Sequence, residues 1–290
     1  MHRTPTAAMI FATLLWGATF VVIRDTLHGL DPTVLIWARF SLAAGVFAVI
    51  LAIRRRGLGR AAWIGGALSG VFAIGGFLFQ AIGLTTTSAG TSAFLTSIGT
   101  LFAGLFAWPL LGQRPSRWLS LGIAGAVFGA SLMGPRDWTL GPGEWWTLLG
   151  AFVYALQVVV LARFAPRADP VALTGVQTAV MAVGLTPFVH GAREQIAALP
   201  APYLWRLGYL VVAGSVAAPL LQVIAQRSLP PGRVGLLFAL EPVFALVFAV
   251  TVGAERFVAR WWWGAVLILV SVTMVEWREA RRPGSRSSTG

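Results

Sequence analysis

The chain has 290 residues, of which 57% are hydrophobic and 11% charged, and its formal net charge is +12. Soluble domains carry about 25% charged residues, so this composition excludes an ordinary soluble domain and points to a helical protein whose partner is the lipid bilayer. The positive charge builds no nucleic-acid surface, because it consists of arginines set between apolar runs rather than along one face. With no cysteine, neither disulfides nor thiolate metal sites are available.

Apolar runs bounded by Arg, Pro and Gly predict ten membrane-spanning helices. In the first half they cover 6–27, 33–53, 62–84, 89–111 and 117–134; in the second, 143–163, 171–190, 203–226, 232–253 and 260–277. The opening run, Ala7 to Ile23, is long for a signal peptide and is followed by no small-x-small cleavage site, so it reads as a retained span. The polar tail, 278–290, is expected to be disordered. With the N-terminus inside, fifteen arginines fall in inside segments, six fall outside, and Arg39 lies within a span. The positive-inside rule therefore puts both termini in the cytoplasm.

The two halves repeat. An offset of 142 places Gln80 on Gln222, Gly90 on Gly232, Phe102-Ala103 on Phe244-Ala245 and Arg114 on Arg256. An offset of 138 places Asp31-Pro32 on Asp169-Pro170 and Trp16 on Tyr154. Five spans per copy is an odd number, so the second copy enters the membrane the opposite way up. The expected fold class is an all-α membrane protein, ten transmembrane helices in two inverted five-helix repeats, 1–137 and 138–277.

Polar side chains inside the spans mark the functional candidates. Glu241 stands in the middle of the ninth, where a charge costs about 2.5–3.5 kcal/mol on insertion scales and so faces a partner or a water-filled cavity. Pro242 beside it leaves the Phe238 carbonyl without a donor. Arg39 in the second span is the other deep charge, and either it serves the site or the two form a structural ion pair. Trp16 and Tyr154 sit about ten residues inside their spans, too deep for an interfacial belt. Thr19 shares a face with Trp16, and Thr96 lies on the fourth span beside Ser92 and Thr100. Gln80 and Gln222 divide between substrate contact and interhelical hydrogen bonding, and Gln157 and Gln177 are expected to add neutral hydrogen bonds to the site. Pro219 is expected to bend the eighth span, and the nearly apolar fifth and tenth to stand outside a ring of eight. There is no Walker A motif and no catalytic or metal-ligating constellation, so neither an enzyme nor a cofactor is expected.

With those residues in hand, the chain resembles the drug/metabolite transporter superfamily, specifically its EamA-type permeases. The resemblance rests on Leu15-Trp16-Gly17-Ala18-Thr19-Phe20, Ala38-Arg39-Phe40, Ser88-Ala89-Gly90 to Leu111-Gly112-Gln113-Arg114-Pro115, and Leu240-Glu241-Pro242-Val243-Phe244 through Gly253-Ala254-Glu255-Arg256. It implies an inner-membrane secondary carrier that exports amino acids or other small metabolites, with Trp16, Arg39, Gln80, Tyr154 and Glu241 at motif or cavity-facing positions. The first copy has Gly99-Thr100 where the second has Glu241-Pro242, so the matched helix breaks are chemically unequal.

The leading expectation is a small-molecule exporter working by alternating access around a midplane site, as a monomer or homodimer. An amino acid would set its carboxylate toward Arg39 and its ammonium toward Glu241. Two alternatives are proton-coupled efflux of cationic compounds, with Glu241 carrying the proton, and a non-transport membrane protein. A channel would call for a continuous polar lining or a ring of charge.

Overall fold

The computed structural model describes residues 3–55, 57–134, 140–252 and 258–281. The Gly253-Ala254-Glu255-Arg256 end of the ninth predicted span, the junction at 137/138 and the tail from 282 onward lie outside the described residues, and so does the side chain of Thr100.

The described chain is helical throughout. Its helices are α1 (Arg3–Thr26), α2 (Pro32–Arg54), α3 (Arg60–Leu84), α4 (Ala89–Leu111), α5 (Arg117–Ser131), α6 (Pro142–Phe164), α7 (Pro170–Leu185), α8 (Ala192–Ala197), α9 (Ala201–Tyr209), α10 (Ala218–Gln226), α11 (Pro231–Phe238), α12 (Glu241–Thr251) and α13 (Ala259–Ala280). Leu210–Ala217, between α9 and α10, is wound as a π-helix, so α9 to α10 form one continuous span. Likewise α11 and α12 form one interrupted span, while α8 is a short helix in the loop before the eighth. Among the described residues, nine stretches are long and apolar enough to cross a membrane. The fifth predicted span, α5, has 15 residues and at 1.5 Å per residue reaches roughly 22 Å.

Repeated sequence features turn out to be repeated caps. Asp31 accepts a hydrogen bond from the Thr33 N–H at the start of α2 and Asp169 one from Ala172 at the start of α7, each followed by Pro at the first helical position. The packing is also paired. α3 lies against α6 as α1 lies against α10; α4 against α6 as α1 against α12; α3 against α7 as α2 against the π segment; α2 meets α7 and α5 meets α13. Exchanging the two halves maps each contact onto another, which is the pattern of a pseudo-two-fold axis between inverted five-helix repeats.

Three details differ from the sequence expectation. α4 runs without interruption through Gly99-Thr100, because neither residue lacks a backbone N–H; the helix break belongs to the second copy alone. α7 ends at Leu185, five residues early, where Pro187 forces a 3₁₀ turn over Thr186–Phe188. α13 runs on to Ala280, with the Arg278 guanidinium stacked 4.2 Å from the Trp118 ring centre and Arg281 3.8 Å from that of Trp277.

Candidate functional site

A cavity lies between the repeats. It is walled by α1, α3, α4, α6, α7, α10, α11 and α12, which make up seven spans; α2, α5 and α13 contribute no residue to it, so the expected ring of eight lacks the second span.

Glu241 reaches it through the helix break. Pro242 has no N–H, so the first half of the span closes with tight bonds from the Ala239 and Leu240 N–H groups to the Leu236 and Leu237 carbonyls, at 3.1 and 3.0 Å. The second half starts afresh with Glu241 as its first residue, where the helix dipole favours a negative group. The residue is 4% exposed and lines the cavity. Among the described residues its carboxylate joins no ion pair and accepts no hydrogen bond.

Aromatic rings form the apolar wall. Trp16 stacks on Phe238 with ring centres 5.5 Å apart, and Phe77 meets Tyr154 edge-on at 5.0 Å. The Tyr154 ring lies directly over Gly76, where a Cβ would come within 2.7 Å of it. The Trp16 indole N–H donates to the Gly214 carbonyl at 3.1 Å, joining the repeats.

The amides are placed by one partner each. Gln80 Nε2 donates to Thr96 Oγ1 at 3.1 Å, and the Gln177 side-chain carbonyl accepts from Ser69 Oγ at 3.1 Å. Gln157 and Gln222 bond reciprocally at 3.5 and 3.3 Å, long enough to be weak. Gln80 Oε1 and Gln177 Nε2 have no hydrogen-bond partner among the described residues. Thr13, Thr174 and Thr178, polar in sequence, spend their hydroxyls on carbonyls of their own helices.

Of the ten residues singled out in the sequence, Trp16, Thr19, Gln80, Thr96, Tyr154, Gln157, Gln177, Gln222 and Glu241 stand on this one wall. Arg39 does not. It is fully buried one layer behind, its guanidinium 5.6 Å from the Phe40 and Phe77 ring centres, with Nε donating to Ser215 Oγ at 3.1 Å. Among the described residues its two terminal nitrogens have no hydrogen-bond partner, and no ion pair joins it to Glu241. The structural ion pair left open by the sequence is therefore not formed. Phe20, Phe77, Pro219, Gly235 and Phe238 also line it, and the small or apolar Gly99, Ala103, Ala155 and Val158 complete the wall. Phe77 and Phe238 each precede a polar wall residue by three positions, the spacing that shares a helix face.

Comparison with known proteins follows the same lines. A sequence model of the EamA-like transporter family matches residues 5–134 and again 141–277. An uncharacterised transporter of Archaeoglobus fulgidus is 25% identical over 93% of this chain and 85% of its own length. A probable amino-acid metabolite efflux pump of Escherichia coli K12 is 26% identical over 98% of this chain and 100% of its own. The uncharacterised inner membrane transporter YedA of the same strain is 26% identical over 93% and 90%. One solved crystal structure superposes with a TM-score of 0.72 at 19% identity, covering 96% of this chain and 99% of that one, a likeness of fold.

Proposed function

Because this chain belongs to the EamA-like transporter family, and is thus a multi-span membrane transporter of small molecules, we propose that it exports amino acids or related amine-bearing metabolites. It does so as a secondary carrier of the inner membrane, with both termini in the cytoplasm and the two repeats rocking about the central cavity. The observation that carries this reading is Glu241: a carboxylate on the cavity wall, at a helix break, without a protein partner. Such a group is costly to keep there unless a cation arrives to meet it. A substrate ammonium meets that need, the rings of Trp16, Phe77 and Tyr154 take the apolar body and add cation–π attraction, and the spare amide groups of Gln80, Gln157, Gln177 and Gln222 receive the carboxylate. With Arg39 behind the wall, neutral donors rather than a cation face that carboxylate.

The test is a panel of the twenty amino acids, simple amines and quaternary ammonium compounds in proteoliposomes, with and without an imposed pH gradient. Counterflow exchange of at least one amino acid, lost at least tenfold in Glu241→Gln with melting unchanged, is the expected result. Leak without counterflow, or unchanged flux in Glu241→Gln, refutes a carrier working at this site. A second reading, proton-coupled efflux of cationic compounds, is favoured by the wall's rings and single carboxylate. Its outcome is transport of the quaternary compounds alone, driven by the pH gradient.

A further inference from the structure

The π-helical turn Leu210–Ala217 is gripped from the opposite repeat at two adjacent residues. Trp16 holds the Gly214 carbonyl through its indole N–H, and Arg39 holds Ser215 Oγ through Nε. Ser215 Oγ in turn donates to the Leu210 carbonyl at 3.1 Å, five residues back, which is the spacing of the widened turn. Pro219, two residues past the turn, has no N–H for the Ser215 carbonyl, so an ordinary α-helix through this point is already one bond short. Gly214 is the residue the grip requires: a Cβ there would lie 2.8 Å from Arg39 Nη2 and 2.9 Å from Thr19 Cγ2.

Against this stands the state of Arg39. Its Nη1 and Nη2 are buried and unpartnered, although an unmade bond from a buried charged donor is among the more expensive features a fold retains. Nη2 sits beside Gly214 of the π segment, whose backbone carbonyls a change of winding would release. The other end of the grip, the Trp16 indole, lies on the cavity wall.

We propose that Leu210–Ala217 is the hinge of the eighth span, and that Arg39 is a positioning residue which holds it while Trp16 reports cavity occupancy to it. When a ligand shifts the Trp16 ring, the Gly214 carbonyl loses its donor. The turn rewinds, and the two spare guanidinium nitrogens take the carbonyls it frees. The inference rests on alternating access about this cavity, but it needs no transport to be tested.

The chain contains no cysteine, so Val71→Cys in α3 and Val212→Cys in the π segment, both outward-facing, introduce the only two thiols. Spin labels there report the interrepeat distance by double electron–electron resonance in nanodiscs without substrate. Ser215→Ala removes one oxygen, and Trp16→Phe keeps a ring but loses the N–H. Each is expected to raise a second distance population by roughly tenfold, the equivalent of one charge-assisted or buried hydrogen bond, and to speed amide exchange across 210–217. Arg39→Gln gives the same shift, and Arg39→Lys, which restores a donor, reverses part of it. Distance distributions superimposable on the parent in both Ser215→Ala and Trp16→Phe overturn the hinge, even if transport at Glu241 stands. A shift in both alongside an inactive panel would overturn the proposed cargo and leave the hinge intact.

Discussion

Gly17→Ala measures how closely the repeats must approach at the cavity. A Cβ at position 17 would lie 2.6 Å from Phe244 Cβ, 3.0 Å from the Ala245 nitrogen and 3.1 Å from the Glu241 carbonyl oxygen. Two of those atoms are backbone and the third is the root of a side chain, so no rotamer change relieves the clash. Carbon atoms rest about 3.5–4.0 Å apart, so α1 and α12 have to separate by roughly 1 Å. That separation lies between Trp16, one residue before the glycine, and Glu241, whose own carbonyl is in the contact. Overpacking of this kind costs about 1–3 kcal/mol, and a misplacement on the order of 1 Å at a working site slows it by tenfold or more. Gly45→Ala is the matched control: the same methyl on a helix, exposed, with nothing within 4 Å. Melting in detergent and counterflow in vesicles should both suffer in Gly17→Ala and neither in Gly45→Ala. Two variants that behave alike would show that α1 and α12 do not meet at this distance in the membrane.

The weak reciprocal amides of Gln157 and Gln222 give a further expectation. Gln157→Leu or Gln222→Leu alone strands a buried partner at about 1–3 kcal/mol, whereas the double variant should be less destabilised than the sum of the two, and additive losses would exclude the pair as a unit. At one end of the bundle Glu276 accepts from Arg233 at 2.6 and 3.1 Å and from Thr6 Oγ1 at 3.0 Å, joining α1, α11 and α13. Arg233 and Glu276 are 14% and 19% exposed, so Glu276→Gln should lower stability by about 1 kcal/mol, and high salt should weaken the parent more than the variant.

The spans were legible because a bilayer-length apolar run bounded by Arg, Pro or Gly has few other readings, and the caps at Asp31 and Asp169 announced the repeat. The wall was legible through polarity: Gln80, Gln177 and Glu241 are expensive anywhere else in a membrane. Facing was not. α2 is apolar around its circumference, so its helical phase points Arg39 at no particular neighbour, and only packing shows that Phe77 stands between it and the cavity. The π turn was equally hidden, since Pro219 announces a bend but not that an extra residue upstream absorbs it. Gly99-Thr100 misled through alignment alone: matching Glu241-Pro242 in register does not confer a missing N–H.

The wall draws between one and four residues from each helix that reaches it, and its polar members lean on at most one neighbour apiece. Replacing any of them alters what the chamber recognises while leaving the scaffold's ridges and caps untouched. Chemical preference in such a bundle is therefore free to drift by single substitutions, and two chains that share this shape can part company over cargo long before they part company over architecture.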